Sequence, residues 1–162
     1  MSDGPLEETW ESWTSRVAAD LAALTDDDWL TYTVLVPSRA SSTYAAERSP
    51  RSWRRGGARP APQAQVPDVF VQARRLEGVL VLECIGDTEF EGLTDLVRED
   101  QEALVALGWV RDDDGPEFSR DFGDDLDGAT NAAALLRASL AQVLGATTPS
   151  DVDVRRAPQP GR

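Results

Sequence analysis

The chain has 162 residues, of which 41% are hydrophobic and 28% charged, a length that fits one domain and suffices to fold without a disulfide or structural metal. Its net charge of −13 argues against nucleic-acid backbones and anionic membrane surfaces as partners, because like charges repel. Histidine is absent and all 16 cations are arginine, which excludes histidine catalysis, histidine metal ligation, a lysine Schiff base and a P-loop lysine within this chain.

The N-terminal stretch MSDGPLEETWESW is acidic and lacks the basic and apolar regions of a signal peptide. No apolar run approaches the roughly 20 residues of a membrane span, so a soluble, cytoplasmic protein is expected. The first element reads as a helix starting at Gly4 and Pro5, with Leu6, Trp10, Trp13, Val17, Leu21 and Leu24 on one stripe. Thr25 and Asp26–Asp28 end it. Trp29–Val36 follows as a strand, its alternating Leu30, Tyr32, Val34 and Val36 marking one buried face.

Residues 37–66 differ in kind. Six arginines stand against one glutamate, with four prolines and no periodicity. This composition predicts an unstructured insert. It carries +5, leaving −18 on the rest of the chain, so the two parts attract. Asp68–Arg75 and Val79–Ile85 read as two strands joined by a turn at Leu76-Glu77-Gly78. The second is apolar on both parities apart from Glu83, which predicts a central position.

Thr94 is the expected cap of a second helix ending at Leu107, with Leu96, Val97, Leu104 and Leu107 inward and Gly108 as its stop. Trp109–Arg111 and Glu117–Phe122 read as short strands around the turn DDDGP. Asp127 is the expected cap of a third helix, whose apolar face is Leu136, Leu140, Val143 and Leu144. Gly145 and Pro149 end it. The predicted order is α-β-β-β-α-β-β-α, an α+β fold of three helices against an antiparallel sheet. Residues 1–154 form the single domain, interrupted by the insert, and 155–162 a flexible tail.

The acidic clusters Asp26–Asp28, Asp112–Asp114 and Asp124, Asp125 and Asp127 raise the question of a hard cation. The EF-hand pattern fails, because a loop from Asp112 reaches Gly123 at its twelfth position. Turn and cap chemistry accounts for them. Cys84 has no histidine or lysine to activate it and reads as a small core residue. No catalytic, cofactor or metal site is expected. Trp10, Trp13 and Trp109 read as core. Trp53, within the arginine-rich insert, is a candidate docking anchor, since Trp and Arg dominate binding hot spots.

The segments Ala106-Leu107-Gly108-Trp109 and Phe118-Ser119-Arg120-Asp121-Phe122 resemble those of the actinobacterial TY-Chap group, peptide-binding chaperone-like domains grouped with type III secretion chaperones and YbjN proteins. Leu140–Gly145, the helix Trp10–Leu24 and the strand DVFVQA also look similar. The chain departs at Glu117, where the family commonly has Asn, and in its long insert. The resemblance implies a non-enzymatic, cytoplasmic chaperone or adaptor that holds a segment of a client protein, such as a secreted effector, and works as a homodimer in related secretion systems.

An antiparallel sheet with one face uncovered suits peptide capture, by strand addition or by a helix laid on the sheet. Phe70, Gln72 and Glu83 are the candidate contact residues, with Trp53 as the added anchor. The competing function is an immunity protein, whose acidic body would neutralise a basic toxin by charge complementarity.

Overall fold

A computed structural model of the chain describes residues 7–35, 69–85, 96–111, 113 and 118–158. Helix α1 spans Trp10–Ala22 and starts at a capping box. The Thr9 hydroxyl accepts the Ser12 amide N–H at 3.2 Å, and the Ser12 hydroxyl accepts the Thr9 N–H at 3.1 Å. Two otherwise unpaired amide donors are thereby satisfied. The helix thus starts later than the expected Gly4 and Pro5, since residues 7–9 are not helical and Thr9 is the cap; Gly4 and Pro5 themselves lie outside the described residues. Trp13, Val17, Leu21 and Leu24 are buried as the stripe predicts, and Trp10 is half-buried.

Six strands form one antiparallel sheet: β1 Asp28–Val34, β2 Phe70–Leu76, β3 Val79–Ile85, β4 Val110–Arg111, β5 Phe118–Phe122 and β6 Val152–Pro158. Their spatial order is β4-β5-β3-β2-β1-β6. The apolar strand β3 lies between β2 and β5, as its lack of a polar face predicts. Glu77 and Gly78 turn the chain between β2 and β3 with φ of 51° and 82°. Two successive positive φ values match the twist of a tight hairpin.

Helix α2 spans Arg98–Leu107 and ends at Gly108 with φ 107°. Its N-terminus differs from expectation. Val97 holds the cap position without a side-chain hydrogen bond and is 46% exposed, so it does not point inward. Thr94 lies outside the described residues. Helix α3, Leu126–Ala138, is capped by Asp125 in place of Asp127. The Asp125 carboxylate accepts the Gly128 N–H at 2.7 Å, while Asp127 sits in the first turn, where its charge complements the helix dipole. After Ala138 the helix widens into a π-turn, Ser139–Val143.

The chain end also departs from expectation. Residues 155–158, read as tail, continue β6 alongside β1 up to the pair Asp28–Pro158. The mixed charges and prolines of this stretch hide the strand in the sequence. Val152 and Val154, two residues apart, were its only apolar signal.

The core lies on one side of the sheet. Leu30 and Tyr32 of β1, Val71 and Ala73 of β2, and Leu80, Leu82 and Cys84 of β3 are buried there. Ala129, Ala132, Ala133 and Leu136 of α3 share this core with the α1 stripe. The Trp13 ring meets Trp10 at 5.3 Å and Tyr32 at 6.2 Å, both edge to face. Aromatic contacts of this kind bind α1 to the sheet. Arg75 closes the bottom of α1, its Nε donating to the Leu24 carbonyl at 2.9 Å.

Candidate functional site

The alternation of a strand sends neighbouring side chains to opposite faces. The residues between the core positions therefore line the other face of the sheet. No described helix covers it, and its residues are half-buried or exposed. The strand register sets them in rows. One row is Ala157, Trp29, Arg74, Val81 and Asp121. The next is Arg155, Thr31, Gln72, Glu83, Ser119 and Val110. A third begins Asp153, Thr33 and Phe70.

Phe70, Gln72 and Glu83 all belong to this open face. Gln72 and Glu83 stand directly opposite each other on β2 and β3. Phe70 is two residues before Gln72 on the same strand, hence on the same side. Trp53 lies outside the described residues.

The open face is not uniformly polar. Trp29, Phe70, Val79, Val81 and Val110 supply apolar surface, and Val79 and Val110 are 39% and 56% exposed. Across the middle, Arg74 Nη2 donates to Glu83 Oε1 at 2.6 Å. The two side chains are 34% and 17% exposed. This diagonal pair joins β2 to β3 and fixes two opposite charges at the middle of the face, whose other charges, Asp121, Asp153 and Arg155, lie toward its ends. The Arg74 Nε is buried without a hydrogen-bond partner. At the β4–β5 end, Val110, Ser119, Arg120 and Asp121 line a shallow depression of about 300 Å³. Apolar surface, a fixed charge pair and a depression are the elements needed to seat a peptide side chain by side chain.

Sequence reasoning missed Arg74, Trp29 and Val81. The signal for Trp29 and Arg74 was parity: each alternates with residues that the structure buries, Leu30 in one strand and Ala73 in the other. Val81 had no such signal, because β3 is apolar on both faces.

Cys84 belongs to the covered face. Burial pushes its thiol up to about 12, so the nucleophilic thiolate is strongly disfavoured at neutral pH. Asp125, from one of the acidic clusters, is a helix cap. Among the described residues, no group of three or more cysteine or carboxylate side chains is arranged to hold a metal ion, and no helix is long and apolar enough to cross a membrane.

A second cleft, of about 320 Å³, runs between the end of α2, β5 and α3, lined by Leu107, Phe122, Asn131 and Leu135 among others. Arg120 crosses its mouth, its Nη1 donating to the Gly108 carbonyl at 3.0 Å.

A family model described as T3SS (YopN, CesT) and YbjN peptide-binding chaperone 3, TY-Chap3, matches residues 3–158. No curated protein and no solved structure matches the chain.

Proposed function

The chain belongs to the TY-Chap3 family of peptide-binding chaperones, and from that premise we propose that it holds a segment of a client protein against the open face of its sheet. The observation that carries this reading is the asymmetry of the sheet, with one face buried under helices and the other left half-exposed. Phe70, Gln72 and Glu83 are the proposed contacts, joined by Arg74 and Trp29. An amphipathic segment fits: apolar side chains for Trp29, Phe70 and Val81, and a polar group for the Arg74–Glu83 pair.

The client in this reading is a secreted effector, and the protein acts in the cytoplasm of an actinobacterial host, without catalysis. Its buried, unactivated Cys84 supports a non-enzymatic role. A second copy of the chain is the other partner. The family match favours client holding over neutralisation of a toxin.

A displayed library of random peptides, selected on the intact protein, tests the reading. Bound peptides are expected to be amphipathic and to lose at least tenfold in affinity for F70E and V81K variants of unchanged melting temperature. Peptides that bind these variants as tightly as the intact chain would place the client site elsewhere.

A further inference from the structure

The outer edge of β6 has a definite hydrogen-bonding parity. The Leu35 N–H donates to the Asp151 carbonyl at 2.7 Å, and β1 and β6 pair through Thr33–Asp153, Thr31–Arg155 and Trp29–Ala157. In an antiparallel ladder, alternate residues bond to the neighbour. Residues 153, 155 and 157 therefore turn their backbone groups toward β1. Val154 and Arg156, together with the Val152 carbonyl, turn theirs outward, where no described strand pairs with them, while the Val152 N–H donates to the Pro149 carbonyl.

This free edge is bounded at both ends. The 3-10 turn Pro149–Asp151 precedes it. Pro158 has the outward parity but no N–H to offer. Residues 152–156 remain, a five-residue template centred on Val154. Among the described residues no bulge interrupts this edge and no helix covers it, so its defences are Pro158 and the charges of Asp153, Arg155 and Arg156. The opposite edge of the sheet, β4, is two residues long and offers no comparable template.

The side chains beside Val154 have opposite charges. Asp153 and Arg155 both project on the open face, and Arg155 Nε donates to Asp153 Oδ2 at 2.8 Å within the strand. The Arg155 side chain is 81% exposed.

We propose that β6 pairs antiparallel with β6 of a second copy of this chain, about a two-fold axis through Val154, making one continuous sheet. This register sets Val154 against Val154 and Val152 against Arg156 of the second copy, so that the two Val154 residues exchange N–H and C=O bonds and each Val152 carbonyl accepts the Arg156 N–H of the other copy. It sets Asp153 opposite Arg155 of the second copy, and the reverse. These are non-hydrogen-bonded positions, where facing side chains stand closest. The edge is thus complementary to itself in charge as well as in backbone. A net charge of −13 per copy opposes association at low salt. Near 0.15 M ionic strength, screening over about 8 Å confines the electrostatics to the seam. The dimer deepens the second-copy part of the reading above and leaves the client part independent, since the open face is present in a monomer too.

Sedimentation of the full chain at about 0.15 M salt, from about 10 to 300 µM, tests this, because an interface of one strand pair associates weakly. A reversible dimer is expected. R155D sets Asp against Asp and D153R sets Arg against Arg, so each alone should shift dissociation at least tenfold toward monomer. The double variant D153R/R155D restores opposite charges and should restore the dimer. An equimolar mixture of the two single variants should form a heterodimer that neither forms alone. V154P removes an outward N–H without touching the β1 ladder and should give monomer, with circular dichroism and melting temperature as the check on folding. Monomer throughout the concentration range overturns the proposal and leaves this edge for an added client strand. A dimer indifferent to the charge variants also overturns it, since the register would then be wrong. Peptide binding measured on the V154P monomer keeps the client reading separately testable, because Val154 does not belong to the open face.

Discussion

The indole N–H of Trp109 donates to the hydroxyl of Ser139 at 2.8 Å inside the core, and that hydroxyl donates onward to the Leu135 carbonyl at 2.7 Å. Ser139 is the one buried polar residue among those described. It ties the strand entry after α2 to the point where α3 widens into its π-turn. Side-chain insertion into the carbonyl ladder is a recognised cause of such local unwinding.

Removing this hydroxyl leaves a buried indole donor unpaired. Ser139→Ala is expected to cost about 1–3 kcal/mol, the desolvation cost of an unsatisfied buried group. Urea denaturation measures it. The pair should couple in a double-mutant cycle, with Trp109→Phe costing less in the S139A background than in the intact chain. Additive effects would show that the bond carries no stability.

Trp13 is 1% exposed and touches aromatic rings on both sides. Trp13→Ala is expected to cost about 3–5 kcal/mol by loss of buried area and creation of a cavity. A domain has only about 5–15 kcal/mol in total. Chemical denaturation should register a large drop in the midpoint, and a loss under about 1 kcal/mol would contradict the packing of the α1 stripe.

The α1 stripe, the β2–β3 hairpin and the two-layer logic of helices on one sheet face were legible because each has a strong local period. The caps were not. Thr9 and Asp125 compete with equally plausible neighbours, and only the backbone path decides between them. β6 was illegible for a different reason: an edge strand with one solvent face needs few apolar residues, so DVDVRRAP looks like tail. The open face was legible only as a parity pair. Sequence alternation separates two faces, and only packing says which one the helices cover.

Glu77 occupies a left-handed conformation, φ 51°, beside Gly78. Side chains other than Gly, Asn and Asp pay about 1–2 kcal/mol there. Glu77→Asn should therefore raise stability by about 0.5–1 kcal/mol without altering the register, because Asn tolerates this region. A thermal melt reads the gain. A neutral or negative result would mean that the Glu77 side chain makes a compensating contact.

Gly128 answers to space. A Cβ built there would lie 2.2 Å from the Gly123 carbonyl oxygen. Gly128→Ala must push that backbone away from the α3 N-terminus, where Asp125 holds the cap. A loss of about 1–3 kcal/mol is expected, although alanine is the better helix former. A stabilised G128A variant would refute this close approach.

Burial raises the Cys84 thiol from its ordinary value of 9.0 to about 12, and raises the Tyr32 phenol as well. The folded state keeps these protons while the unfolded chain loses them. The unfolded state then binds fewer protons, and stability falls as pH rises from about 9 towards 12. Below that window the effect is absent. Native protein at pH 8 should leave a thiol reagent unreacted and react fully in denaturant. Replacing Cys84 by Ala should flatten part of the alkaline slope.

The sheet has a consequence for synthesis. Val34, early in the chain, takes Val152 as its partner across β1 and β6, and α1 packs against α3. During translation the β2–β3 hairpin can close on itself, but α1 and β1 wait for segments made much later. Long-range closure of this kind is slow, and it leaves an unpaired strand edge and an apolar helix stripe exposed on the growing chain. A protein proposed to hold other chains therefore spends its own synthesis as a candidate for being held.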